Sequence, residues 1–397
     1  MAKHKIVVLP GDGIGAIVMK EAIRVLDASG FDAEYIYGDI GWKFWCTEGN
    51  ALPDRTVKLI EKHRIALFGA ITSKPNDEAK AELDPELKDK GFSYSSPIVA
   101  LRQHFNLDIC VRPCRSYKGN PLNFVRRGKG NTIDEPLVDV VIFRQNTECL
   151  YSGVEWTNPP SNVYDALMTH PKFVQNFGNV PVNELSISAR IFTKKATKRI
   201  LEAAFEFAVK NHYKSVTVCE KPNVIRETSG MMWKLAKETQ ASYPGIKLVN
   251  TNIDAQMMWL TKNPEDYGVI VAGNMFGDIV SDGFAGLIGG LGFACSAQFS
   301  SDGIAVFEPT HGSAPKYADY KIPIVNPVAM IESACMMLDY IDEKKIASSI
   351  RRSISSVIAE GRVRTYDMMR MAGRPDVLRN GAASTPEMTD AIIAGLK

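Results

Sequence analysis

The sequence predicts an α/β fold in which parallel strands alternate with helices, and three observations carry that reading. Apolar runs of strand length recur along the chain, segments with helical spacing of apolar residues stand between them, and glycine-rich turns join the two. Lys5-Ile6-Val7-Val8-Leu9-Pro10 reads as a buried strand. Gly11-Asp12-Gly13-Ile14-Gly15 then turns the chain into a helix with an apolar face through Ile17, Val18, Ala22, Ile23 and Leu26. Further strands are expected at Ala33–Tyr37, Ile65–Ala70, Val138–Phe143, Ser215–Cys219, Lys247–Asn250 and Gly268–Ala272. The segment Thr193–Lys210 carries Ile200, Leu201, Ala204, Phe205 and Phe207 on one amphipathic helical face. Two stretches fit no core element. Ser73–Lys90 is polar and reads as a surface loop or short helix, and Asn158–Glu184 reads as an excursion between lobes.

A chain of 397 residues exceeds one compact core and suits two or three lobes. Lysine and arginine number 47 against 45 aspartates and glutamates, so no overall field attracts nucleic acid or a membrane surface. No apolar stretch is long enough to span a bilayer, and the start, Met1-Ala2-Lys3-His4-Lys5, does not resemble a signal peptide. The 7 cysteines are scattered and contain no CxxC pair, which suits reduced thiols and a cytoplasmic protein.

Several clusters carry chemistry. Asp278 and Asp282 follow the strand at Gly268–Ala272 and stand four apart, which on a helix puts both carboxylates on one face. That arrangement suits Mg²⁺ or Mn²⁺, and equally a helix start stabilised by an acidic residue. Asp254 offers a third carboxylate. Arg102, Arg112 and Arg144 lie in apolar surroundings, where a guanidinium is costly unless paired. Each admits a structural ion pair; together with a divalent metal they suit a small substrate bearing two or three carboxylates. Lys221 and Tyr151 follow strands and offer a base and an acid. His311-Gly312-Ser313-Ala314-Pro315-Lys316-Tyr317 reads either as a plain turn or as a nucleotide-binding loop. The glycines at 11–15 meet only the looser dinucleotide pattern, with Ala16 at the third position, and alone they read as a tight turn.

These segments together resemble the isocitrate and isopropylmalate dehydrogenases, the β-decarboxylating dehydrogenases. The likeness runs from Leu9-Pro10-Gly11-Asp12-Gly13-Ile14-Gly15 to Thr365-Tyr366-Asp367. It is most specific in Arg144-Gln145-Asn146-Thr147-Glu148 through Tyr151, in Gly277-Asp278 through Asp282, and in His311–Pro315. The resemblance implies a fold unlike the standard Rossmann domain. A large α/β domain would take residues 1–107 and 289–397, a small α/β domain 108–148 and 193–288, and a dimer clasp 149–192. It further implies an obligate homodimer with shared active sites. Ser96, Arg102, Arg112 and Arg144 would hold substrate carboxylates. Asp278 and Asp282 would bind Mg²⁺ or Mn²⁺ with Asp254 of the other subunit, and Tyr151 and Lys221 would handle protons.

The same likeness bears on the cofactor and the substrate. His311, Gly312, Ser313, Ala314, Lys316, Tyr317, Asn326, Tyr366 and Arg370 would bind the nucleotide. Lys316-Tyr317 with Tyr366 and Arg370 resembles members that prefer NADP, because a positive fork with two phenols suits a 2′-phosphate. The expected reaction is oxidative decarboxylation of isocitrate with NADP. Ile98 departs from the isocitrate pattern, where asparagine is usual, and keeps isopropylmalate or homoisocitrate open. A catalytically silent regulatory subunit is the alternative of another class; it would be marked by loss of the lysine, the tyrosine or a metal aspartate, and all are present.

Overall fold

The computed structural model describes residues 3–396. Its strands, in chain order, are β1 (His4–Gly11), β2 (Ala33–Tyr37), β3 (Ile65–Ala70), β4 (Ile109–Arg115), β5 (Arg126–Arg127), β6 (Ile133–Asp134) and β7 (Asp139–Gln145). They continue with β8 (Glu155–Thr157), β9 (Ser186–Ser188), β10 (Ser215–Glu220), β11 (Lys247–Asn252), β12 (Val269–Ala272), β13 (Cys295–Phe299) and β14 (Ala305–Pro309). One 10-stranded sheet dominates, in the order β11-β10-β12-β7-β4-β13-β14-β3-β1-β2. The fold is a mixed α/β architecture around this sheet.

Parallel pairing holds within two blocks. One is β11-β10-β12-β7 and the other β14-β3-β1-β2. Between them β4 and β13 pair antiparallel to every neighbour, so the two blocks run in opposite directions. The expectation of a simply parallel sheet is corrected here. Strand β4 escapes an apolar-run search because Arg112 and Pro113 interrupt it, yet Arg112 pairs with Ile142 and Pro113 with Val141 in a continuous register.

Local chemistry explains the neighbouring elements. The helix Lys194–Lys210 starts at Thr193, whose hydroxyl accepts from Ala196 N at 3.2 Å, and buries Ile200, Leu201, Ala204 and Phe205. A cap of this kind contributes about 1 kcal/mol. The Ser73–Lys90 stretch takes the short-helix alternative and is partly buried. It forms a helix at Asn76–Ala81 and a 3₁₀ turn at Pro85–Lys90. Ala79 and Leu83 are buried against Trp45, a burial worth about 2 kcal/mol for the leucine alone. By contrast, the helices Ser161–Met168 and Pro171–Phe177 contain no fully buried residue and meet each other through Tyr164 and Phe173. They lie in the chain between β8 and β9, which form a ribbon that pairs Trp156 with Ile187.

The topology positions the chemistry. Strands β7, β10, β11 and β12 end along one edge of the sheet. Arg144 near the end of β7, Lys221 after β10, Asp254 after β11 and the helix Asn274–Leu287 after β12 therefore share that edge. No helix among the described residues is long and apolar enough to cross a membrane.

Candidate active site

Asp278 is the hub of the site. Its Oδ1 accepts from Arg112 Nη1 at 2.9 Å and from Arg144 Nη1, and its Oδ2 accepts from Tyr151 OH at 2.9 Å. Arg112 Nη1 also donates to Ser281 Oγ at 2.8 Å and lies 3.5 Å from Asp282 Oδ1. Asp278 and Asp282 therefore share a helical face, as their spacing predicts. The Arg144 guanidinium stacks 5.3 Å from the centre of the Tyr151 ring. Close approach of the helix Asn274–Leu287 depends on Gly277, since a Cβ there would lie 2.8 Å from Arg144 Cβ.

Burial sets the protonation of these groups. It pulls the Arg144 guanidinium, with the help of the Arg112 charge, down to about 10. At Asp278 burial pushes the carboxyl up, but the charges of Arg144 and Arg112 outweigh it and hold the group below its usual range. Asp282, facing only part of that positive charge, is raised by burial. Burial and the adjacent Asp278 charge raise the Tyr151 phenol, so it keeps its proton. Arg112 Nε is buried with no acceptor among the described residues. Such an unmet donor is costly, and a ligand carboxylate oxygen would relieve it.

Arg102 lies in the helix Pro97–His104 and makes different contacts. Its Nε donates to Gln298 Oε1 at 2.8 Å and its Nη2 to Glu308 Oε1 at 3.1 Å. Asn146 Nδ2 donates to the same Gln298 oxygen at 2.8 Å, which links this group to the end of β7. The charge of Arg102 is felt at Arg144 and that of Glu308 at Arg112, so the three arginines form one electrostatic neighbourhood. Ser96 is half-buried at the start of the same helix, and Ile98 packs against the cluster of Val7, Leu9, Leu101 and Leu107.

Lys221 and Asp254 stand apart from Asp278 and pair with each other. The lysine hydrogen bond holds the Asp254 carboxyl below its usual range. Among the described residues, no group of three histidine, cysteine or acidic side chains within the chain could hold a metal. The two carboxylates of one helical face, Asp278 and Asp282, are hard oxygen donors that fit Mg²⁺ or Mn²⁺ as a partial set.

A second region lies at the His311 loop. A cleft of about 330 Å³ is lined by Ile14, Gly292, His311, Tyr317, Asn326 and Tyr366, among others, with Gly312 and Ala314 on its wall. The β1 turn meets this loop closely: Ile14 N donates to Ser313 O at 2.9 Å, and a Cβ on Gly13, at φ +54, would lie 2.3 Å from that oxygen. Ser313 Oγ and Thr72 Oγ1 are 2.7 Å apart. His311 Nδ1 lies 3.0 Å from Gly312 O, an oxygen that can only accept, so Nδ1 carries the proton. Burial lowers the imidazole pKa, and Nε2 is left as a buried acceptor with no donor among the described residues.

Tyr317 and Tyr366 face each other at 5.7 Å, with Lys316 Nζ 4.7 Å from the Tyr317 ring. Asn326 Nδ2 donates to Asp367 Oδ2 at 3.1 Å, and Asn326 Oδ1 accepts from Val328 N. Arg370 is exposed and donates to Pro121 O at 3.1 Å, so the structure does not join it to Lys316 and the phenols.

Sequence reasoning missed the supporting residues. Asn274 bridges Arg144 Nε at 2.9 Å and the Glu148 carbonyl at 3.1 Å. Gln298 and Glu308 secure Arg102, and the signal available for them was a polar or acidic residue inside the short apolar strands β13 and β14.

Comparison with known proteins shows the family. A family profile described as isocitrate/isopropylmalate dehydrogenase matches residues 5–392. Protein DlpA of Legionella pneumophila is 38% identical over 98% of this chain, which spans only 58% of that relative's length. Homoisocitrate dehydrogenase of Methanocaldococcus jannaschii is 37% identical, covering 90% of this chain and 91% of that protein. The crystal structure of isocitrate dehydrogenase from Methylococcus capsulatus superposes with a TM-score of 0.79 at 32% identity and 99% coverage of both chains. By its sequence over nearly its whole length and by its fold, the chain belongs to the isocitrate/isopropylmalate dehydrogenase family of decarboxylating dehydrogenases.

Proposed function

We propose that this protein oxidises and decarboxylates isocitrate with NADP in the presence of Mg²⁺ or Mn²⁺. The observation that carries the reading is the convergence of Arg112, Arg144 and Tyr151 on Asp278, with Asp282 on the same helical face. It supplies cations for carboxylates, oxygens for a divalent metal and a protonated phenol in one place. Ser96, Arg102, Arg112 and Arg144 bind the substrate carboxylates. Asp278 and Asp282, with Asp254 of a second copy, hold the metal, whose chemistry is Lewis-acid polarisation of the substrate hydroxyl and its neighbouring carboxylate.

Lys221 of a second copy takes the hydroxyl proton as hydride leaves the carbinol carbon. After CO₂ departs, Tyr151 delivers its phenolic proton to the carbon that carried the lost carboxylate. In the cleft at His311, the Nε2 acceptor suits an exocyclic amino group of adenine, while Lys316, Tyr317 and Tyr366 face the 2′-phosphate, with Arg370 turning in from its contact with Pro121. Asn326 completes the wall.

A homodimer follows from the same reading. Val224, Met258, Trp259 and Ile279 are large apolar side chains left 66%, 50%, 44% and 42% exposed. They lie on the Lys221 turn, the Asp254 helix and the Asp278 helix, the elements that two copies would bring together. The division into domains 1–107 with 289–397 and 108–148 with 193–288, and the clasp 149–192, belongs to this proposal as well.

One observation favours a second reading. Ile98 stands two residues after Ser96 and packs against the apolar cluster around Leu101, so this position offers no donor to a third carboxylate. An alkyl substituent, as in isopropylmalate, suits an apolar residue there; homoisocitrate, a tricarboxylate one carbon longer, would need its third carboxylate to reach past Ile98. Assay of purified protein with isocitrate, isopropylmalate, homoisocitrate and malate, each with NADP and NAD, decides between them. Highest kcat/KM for isocitrate with NADP supports the proposal; preference for isopropylmalate keeps the chemistry and reassigns the pocket.

A further inference from the structure

Beneath the clasp lies a buried ion pair that the reaction does not use. Arg190 Nη2 donates to Glu220 Oε2 at 2.7 Å, and the Glu220 side chain is wholly buried. The other hydrogen bonds of the guanidinium go to two further segments. Nη1 donates to Thr228 Oγ1 at 2.7 Å and to Ser229 Oγ at 3.0 Å, and Nε lies 3.3 Å from Cys149 Sγ. Its faces are covered by Phe192 and Phe276, at 4.5 and 4.9 Å. A buried pair of this kind is stable only when the partners' polar atoms are met, and here each guanidinium nitrogen and both Glu220 oxygens have at least one partner.

The carboxylate completes the connection. Glu220 Oε1 accepts from Gly273 N at 2.8 Å, and Oε2 accepts from Ser229 Oγ at 2.6 Å. Gly273 is the residue that caps the helix bearing Asp278 and Asp282. A Cβ at that position would lie 2.6 Å from Glu220 Oε1, so only glycine admits the carboxylate so close. Lys221 follows Glu220 directly, and Cys149 stands two residues before Tyr151, with its own N–H bonded to Ile191 O at 2.8 Å. One ion pair thus grips the root of the clasp, the turn of Lys221 and the start of the Asp278 helix.

We propose that Arg190 and Glu220 are positioning residues that hold Tyr151, Lys221 and the Asp278 helix in mutual register. This rests on the functional reading above. Under it, Tyr151 and Asp278 serve the chain's own site while Lys221 serves the site of a second copy, so each pair braces half of two sites at once. Its loss acts on the reacting groups and the metal carboxylates. The nucleotide cleft at His311, built on β14 and the β1 turn, is untouched.

The test compares the parent protein with Arg190→Lys and with the double variant Arg190→Met/Glu220→Gln. The double variant leaves no uncompensated buried charge, so it separates positioning from stability. Four quantities are measured: kcat and KM for the best substrate, the Kd of Mn²⁺ for the nucleotide-free protein by calorimetry, and the Kd of NADP. The expected result for the double variant is a kcat about 30-fold lower, on the scale of a displaced catalytic group. Mn²⁺ should bind more weakly and NADP within about twofold of the parent. Arg190→Lys, which keeps the charge and loses the fork, should fall between them. Variants that match the parent in kcat and Mn²⁺ affinity overturn the proposal and leave the pair a stabilising contact only. A parent that neither turns over a substituted malate nor binds Mn²⁺ overturns the functional reading and this proposal with it.

Discussion

The phenol of Tyr151 donates to Asp278 Oδ2 at 2.9 Å, so the proposed proton donor and the proposed metal carboxylate are in direct contact. The contact explains why the phenol keeps its proton: burial and the neighbouring carboxylate both oppose its ionisation. Tyr151→Phe should lower kcat by about a hundredfold, the usual scale for a lost general acid. Mn²⁺ and NADP should still bind with affinities within about twofold of the parent. An unchanged kcat would remove Tyr151 from the mechanism.

Asp278 also neutralises two buried guanidiniums, so its removal should cost stability as well as activity. Asp278→Asn is expected to destabilise the chain by about 3 kcal/mol, the scale of breaking a buried pair. The sign of the pH dependence follows from its depressed pKa. The stabilisation is fully present above the unfolded value of 3.8 and is lost as pH falls through the lower folded value. Urea unfolding of parent and variant should therefore differ most near neutral pH and converge in acid. A constant difference down to pH 2 would contradict the assignment.

Ile98 is the expected arbiter of the substrate. Ile98→Asn should raise the ratio of kcat/KM for isocitrate over isopropylmalate by about tenfold, by giving a carboxylate a donor in place of a methyl wall. Steady-state rates on both substrates measure it, and an unchanged ratio would place selectivity elsewhere.

Lys316 and Tyr366 are expected to read the 2′-phosphate. Burial, with the adjacent Tyr317, raises the Tyr366 phenol, so it stays a donor. Lys316→Ala and Tyr366→Phe should each raise KM for NADP by about tenfold and leave KM for NAD nearly unchanged. Equal effects on both nucleotides would detach these residues from the phosphate.

Local chemistry made part of this site legible in the sequence. Two aspartates four apart share one face if their segment is helical, and the helix Asn274–Leu287 makes it so. The partners of Arg102 were not legible, because Gln298 and Glu308 stand 196 and 206 residues away and no local pattern records such a pairing. Strand β4 was hidden by Arg112 and Pro113, which interrupt its apolar run. The Ser73–Lys90 stretch looked like solvent-exposed chain because its polar residues outnumber Ala79 and Leu83, the two that bury against Trp45. Arg370 pairs in sequence with Tyr366, yet its left-handed backbone at φ +55 accompanies a turn toward Pro121.

The central claim is that hydride transfer and decarboxylation are one metal-dependent reaction at Asp278. Purified protein, Mn²⁺, NADP and isocitrate labelled at the departing carboxylate would be mixed, and reduced nucleotide and released CO₂ counted together. The account predicts one CO₂ for each nucleotide reduced, with both abolished by a chelator and restored by added Mn²⁺. Nucleotide reduction without CO₂, or turnover that survives the chelator, would contradict it.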